Sequence, residues 1–154
     1  MSTSSEMKHV PKGWGYERWI VNKPEYCGKL LYFEKGKRCS WHYHKIKDEV
    51  FYLQSGKMLI KYSDGDNIKH AKELILETGK NFHVYTGLRH QMIALENSEL
   101  FEFSTQHFDE DSYRIIKGDW VKVNIANRLV NLPYGGGNQF LRLLKRKFTE
   151  LNIY

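Results

Sequence analysis

The feature that most restricts this chain is the rhythm of its turns. Short runs rich in β-branched and aromatic residues recur at about 8 to 12 residue intervals, separated by Gly, Asp, Asn and Lys. Segments 16–21, 29–34, 39–44, 49–54, 57–62, 72–76, 82–85, 90–95, 100–104 and 113–116 read as strands. No helical period of useful length interrupts them before residue 138. Strands joined by such short links run antiparallel, so the expected class is all-β, a sandwich or barrel. Ser55-Gly56 and Ser63-Asp64-Gly65-Asp66-Asn67 are the clearest reversals, because Gly and Asn accept the positive backbone angles of tight hairpins.

Length and charge narrow the function. At 154 residues the chain suits one domain with one core, and its 41% hydrophobic content argues against disorder. No apolar run approaches the roughly 20 residues of a spanning helix. Residues 1–6 hold no apolar stretch of the kind a secretory signal needs, so a cytoplasmic protein with no membrane partner is expected. Cys27 and Cys39, the only cysteines, are expected to be reduced thiols. The net charge is +6, but six basic residues against two acidic ones in 118–154 supply most of it. Without a recognition-helix, zinc-finger or RNP-like pattern, no nucleic-acid partner is expected. Pro133-Tyr134-Gly135-Gly136-Gly137 breaks the chain. Beyond it, Asn138 is placed to cap a short helix with Phe140, Leu141, Leu144, Phe148 and Leu151 on one face and Arg142, Arg146 and Glu150 on the other. The expected organisation is a barrel over 1–119 and an extension over 120–154 with a basic amphipathic helix that packs on the barrel or on a sister subunit.

One segment carries chemistry. On a strand, side chains two apart share a face, so His42 and His44 project together and can grip one ion. Glu49 opens the next strand, where a carboxylate can join them, and Gly36 and Gly56 bound the segment. His90, at the end of the run from Gly79, would bring a third imidazole across a closed barrel. Imidazoles with one carboxylate suit Fe, Mn, Co, Ni or Zn better than Ca or Mg. Two coordination positions would remain for a substrate offering adjacent oxygens, as sugars and hydroxy acids do. Trp41 and Tyr43 must face the other way, and that second face needs cover from residues 1–27 or from a second subunit.

These residues resemble the cupin superfamily, whose first motif is G-x5-H-x-H-x(3 or 4)-E-x6-G and whose second is G-x5-P-x-G-x2-H-x3-N. The first is complete here. The second keeps Gly79, Gly87 and His90, with Tyr85 at the Pro position and Ala94 at the Asn position. The resemblance implies a double-stranded β-helix, or jelly-roll barrel, in which His42, His44, Glu49 and His90 hold a divalent metal. Pro11-Lys12-Gly13-Trp14-Gly15-Tyr16-Glu17, the stretch from Gly28 to Gly36, and Phe101-Glu102-Phe103 with Asp109-Glu110-Asp111-Ser112-Tyr113-Arg114 are similar to the phosphomannose isomerase-type (type II) cupin domain. Together they extend the similarity to about residues 11–119. His42 stands where that group often has Gln, and Ser104 replaces a Gln.

The function this resemblance implies is metal-dependent aldose-ketose isomerisation of a sugar phosphate such as mannose 6-phosphate, by a homodimer. Lys29, Glu102 and His83 are the candidates for moving the proton between two carbons. Lys47, Arg89 and Arg114 are the candidate contacts to a phosphate or sugar hydroxyl. Alternation puts Lys29 on one face with Leu31 and Phe33, where a lysine needs a reason to be. The alternatives are a metallo-cupin dioxygenase or lyase acting on a small acid, and a non-catalytic sugar-binding or regulatory cupin.

Overall fold

Short strands satisfy their backbone groups only by pairing. In the computed structural model, which describes residues 4–118, the chain forms two antiparallel sheets. One has the order β1 (Lys8–Lys12), β2 (Gly15–Asn22), β3 (Cys27–Phe33), β10 (Ser98–Ser104), β5 (Glu49–Ser55) and β8 (Asn81–Val84). The other has the order β11 (Tyr113–Ile116), β4 (Trp41–Tyr43), β9 (Arg89–Ala94), β6 (Lys57–Ser63) and β7 (Lys72–Glu77). Among the described residues the helical content is two single 3-10 turns, Ile68–His70 and Asp109–Asp111, and no helix is long and apolar enough to cross a membrane. The expected C-terminal helix and the extension over 120–154 lie outside the described residues.

All ten expected segments are strands, with differences at their ends. β1 is not among the expected strands, and it contains Pro11. It is tolerated as an edge strand bonded to β2 alone, where a proline interrupts no ladder on its outer side. β4 is shorter than the expected 39–44. The ladder breaks at Cys39, whose carbonyl accepts from Gln91 Nε2 (3.0 Å) while its Sγ accepts the Met92 N–H (3.2 Å). Gly56 has a φ of +90°, and a Cβ there would stand 2.4 Å from the Asn97 carbonyl oxygen, so the hairpin between β5 and β6 needs glycine. Gly65 is not among the positive-φ glycines, so the loop after β6 turns without one.

Between the sheets, Leu31, Phe33, Phe51, Leu53, Met58, Ile60, Met92 and Leu100 form the buried core, and Trp14 stacks on Phe33 with ring centroids 3.9 Å apart. Trp14, Leu31, Phe51 and Met92 also line a cavity of about 250 Å³, so the top of the core is the floor of the site. Trp41 is fully buried on the opposite face of β4, with its indole N–H donating to the Asp66 carbonyl (2.8 Å). Part of the cover that face was expected to need therefore comes from the turn at residues 63–67.

Candidate metal centre

β4 and β9 meet at a single pair, His42 opposite His90, and this register sets the two rings 4.3 Å apart. His44 follows one turn of the pleat later, and one ring nitrogen from each of the three lies within 4.8 Å of the others. Each ring is held through Nδ1. His42 Nδ1 lies 3.0 Å from the Ser40 carbonyl oxygen, His44 Nδ1 2.5 Å from that of Asp111, and His90 Nδ1 3.1 Å from that of Leu88. A carbonyl only accepts, so Nδ1 donates in all three and the lone pair falls on Nε2. Burial, followed by the neighbouring His90 and His44, holds the His42 pKa well below the usual imidazole range, which keeps that ring neutral.

Glu49 stands beside two of the three rings. Its Oε1 lies 3.2 Å from His90 Nε2 and 3.5 Å from His44 Nε2, and its Oε2 lies 2.5 Å from Lys47 Nζ. Burial alone would raise its pKa, but the Lys47 ammonium beside it opposes that, and the carboxyl is held well below the carboxylate range. Glu49 Oε1 and His90 Nε2 are buried without a hydrogen-bond partner, an arrangement that leaves two acceptors face to face. Atoms bound to one ion at about 2.1 Å stand roughly 3 Å apart, so these spacings and this donor set fit a divalent transition metal.

A line of alternating charge runs from Glu49 along the cavity wall. Lys47 bridges Glu49 and Glu102, the latter at 2.7 Å, and both carboxylates outweigh burial to raise its pKa. Ser104 Oγ also donates to Glu102 (3.1 Å). Lys29, directly opposite Glu102 in the β3–β10 register, has its Nζ 4.0 Å from that carboxylate, 3.7 Å from Glu17 and 4.5 Å above the Trp19 ring. These are ion-pair and cation-π distances. Among the described residues the Lys29 Nζ is held by ion-pair and ring contacts and not by a side-chain hydrogen bond, although the residue is only 2% exposed. Burial raises the Glu17 pKa, but Lys29, Lys12 and the Trp19 N–H (2.9 Å) more than reverse this.

Of the residues marked in the sequence, the cavity wall includes His42, His44, Glu49, His90, Lys29, Lys47, Glu102 and the exposed Arg114, which sits opposite His42 in register. Two are not brought there. On β8 the inward side chains are Phe82 and Val84, so alternation turns His83 outward, where its exposed ring bonds Asp48 (3.0 Å). Arg89 precedes the inward His90 and likewise faces away, bonding Asp66 (2.7 Å) with its guanidinium over Tyr43. Two residues given no role from the sequence bear on the site: Asp111, whose carbonyl holds His44, and His107, which lines the cavity. The Asp111 carboxylate accepts the backbone N–H groups of Lys45, Ile46 and Lys47, and His107 is held beside Trp19. Asp111 lay within the stretch quoted for its cupin similarity, a signal that marked the segment and not the residue.

No protein-family model and no curated protein matches the chain. Solved structures do match. CapF, a capsular polysaccharide assembling protein from Staphylococcus aureus, aligns with a TM-score of 0.63 at 18% identity, over 72% of this chain and 33% of its own. KdgF from Halomonas sp. gives 0.59 at 16% identity, over 70% of this chain and 98% of its own. Oxalate decarboxylase from Bacillus subtilis gives 0.59 at 20% identity, over 74% of this chain and 33% of its own. The chain thus spans about a third of the length of CapF and of oxalate decarboxylase. Likeness at such identity speaks for architecture, and all three neighbours are cupin-fold proteins. The two-sheet barrel around His42, His44 and His90 is accordingly a cupin fold of the jelly-roll type.

Proposed function

We propose that the chain is a metal-dependent enzyme acting on a sugar or sugar phosphate, with mannose-6-phosphate isomerase-like aldose-ketose isomerisation as its reaction. The observation that carries this reading is one cavity holding three imidazoles and a carboxylate beside Lys29, a buried ammonium held by ion pairs to Glu17 and Glu102. His42, His44, His90 and Glu49 would hold one divalent ion, which when bound supplies Lewis-acid polarisation of a carbonyl and its neighbouring hydroxyl. Lys29 is placed to donate to a substrate oxygen as negative charge grows on it, worth most in a site that excludes water. Glu102 holds the Lys29 and Lys47 ammonium groups in place. Arg114, which has no ion pair among the described residues, suits a phosphate or carboxylate at the cavity lip.

At about 250 Å³ the cavity has room for roughly eight waters of ~30 Å³ each, the scale of one sugar unit. The polysaccharide assembly named for CapF and the Mn(II) centres named for oxalate decarboxylase are in keeping with a metal-bearing site and a carbohydrate setting. Buried thiols at Cys27 and Cys39 suit the cytoplasm. A homodimer belongs to the same proposal, supported by the apolar side chains that the six-stranded sheet exposes, Ile20 and Phe103.

The test is elemental analysis of the tag-free protein beside a His42→Ala/His90→Ala variant, followed by NMR of mannose 6-phosphate and fructose 6-phosphate mixed with each metal-loaded form. Near-stoichiometric metal, lost in the variant, together with interconversion of the two esters is the expected result. Failure to take up metal overturns the reading. Oxygen uptake with a small acid, without isomerisation, moves the assignment to a dioxygenase, and thermal shifts with sugars but no turnover move it to a binding protein.

A further inference from the structure

An isomerase needs a group that takes a proton from one carbon and returns it to the next. Glu102 is poorly placed for this, because its carboxylate already accepts from Lys47 and Ser104 and faces Lys29. Lys29 is a cation between two carboxylates, and His83 lies outside the cavity.

His107 has the required features. It follows β10, and its backbone is pinned by Asn22, whose Oδ1 accepts the His107 N–H (2.9 Å) while its Nδ2 donates to the His107 carbonyl (3.1 Å). The ring packs edge-on against Trp19 with centroids 4.8 Å apart. Nε2 lies 3.0 Å from Asp109 Oδ1, and a carboxylate accepts, so Nε2 carries the hydrogen and the lone pair falls on Nδ1. Nδ1 is buried without a hydrogen-bond partner, and His107 and Asp109 both line the cavity. A lone pair covered in this way is costly unless a donor arrives, and the cavity is where one would come from. Burial and the Lys29 and Lys47 ammonium groups lower the ring's pKa, while Asp109 and Glu102 pull the other way and Lys8 acts on Asp109. The imidazole is therefore neutral at pH 7, the form a base needs.

We infer that His107, oriented by Asp109, is the general base of the cavity and carries the proton in the isomerisation. This rests on the function proposed above. In the forward direction the C2–H bond breaks, its proton goes to His107 Nδ1, and its electron pair forms the C1=C2 bond of an enediol as O1 takes a proton from the Lys29 ammonium on the same cavity wall. The protonated imidazole then gives its proton to C1 while the O2–H proton goes to the Lys29 amine, so that the ketose forms and His107 and Lys29 both return to their starting states. Aldose and ketose are isomers, so no oxidant or reductant enters.

The test has two arms. In ¹⁵N-histidine-labelled metal-loaded protein, ring shifts of His107 should show a hydrogen on Nε2 and none on Nδ1 at pH 7, titrating below the usual 6.5, and Asp109→Asn should mix the tautomers. In D₂O, with mannose 6-phosphate as the probe, His107→Asn should slow deuterium entry at carbon by about 100-fold or more at unchanged metal content and melting temperature. Asp109→Asn should slow it less and move the acidic limb of the rate profile. A protonated Nδ1 at pH 7, or full exchange by His107→Asn, overturns the inference. If the wild type exchanges no hexose phosphate, the isomerase reading fails by itself and the tautomer arm alone decides for or against the acceptor at His107.

Discussion

Glu102 is the residue on which the buried charges of the cavity turn. One of its oxygens takes Lys47 Nζ at 2.7 Å and Ser104 Oγ at 3.1 Å, and it faces Lys29 at 4.0 Å. All three ionic groups are at least 96% buried. Removing one member of such a set leaves charge without compensation, so Glu102→Gln should destabilise the metal-free protein by about 3–5 kcal/mol in urea denaturation. A loss below about 1 kcal/mol would show that Glu17 and Glu49 suffice for both lysines. The unusual setting of Lys29 was legible from alternation beside Leu31 and Phe33, but its register opposite Glu102 was not, since strand pairing is set by the whole sheet. The same limit explains His83 and His107. Nothing in a single sequence shows that β8 turns its histidine outward, or that a loop closes onto Asn22, 85 residues earlier in the chain.

At the scale of elements, the site depends on how the turn from β4 to β5 is fastened. Residues 45–47 offer three backbone N–H groups in a row, and the Asp111 carboxylate takes all of them at 2.8 to 3.2 Å, while the Asp111 carbonyl takes His44 Nδ1. Burial raises the Asp111 pKa, but these backbone hydrogen bonds outweigh it and keep the group ionised. One residue of the 3-10 turn before β11 thus orients His44 and the chain leading into Glu49. Asp111→Ala should weaken metal binding about 10- to 100-fold in a chelator competition, the usual loss when the groups orienting ligands are removed. An unchanged dissociation constant would show that the β4–β9 pairing positions His44 unaided. Strands were the most legible level, because period-two patterns and turn residues mark them locally. β1 escaped because its proline is harmless only at an edge, and edge position is not written in a local pattern.

Across the whole molecule, the surplus of positive charge makes the few well-placed carboxylates control the response to acid. Glu17 shows the sign. It lies between Lys12 and Lys29, and despite burial its pKa is held below the usual 4.5. A carboxylate with a lowered folded-state pKa contributes stability that is complete above its unfolded value and disappears as pH falls through the folded one. Stability of the metal-free barrel should begin to fall below about pH 6.5, where His42 and His107 take up protons more readily unfolded than folded, and a further decline below about pH 4.5 belongs to Glu17, with Asp109 and Asp111. Glu17→Gln should lower the melting temperature at pH 7, because Lys29 and Lys12 lose a counter-charge, and should flatten the decline below pH 4.5. Melting curves of both proteins from pH 7 to pH 3 check this directly. Parallel curves would mean that Glu17 has the same affinity for its proton folded and unfolded, and that the pairing of Lys29 in the cavity wall rests on Glu102 alone.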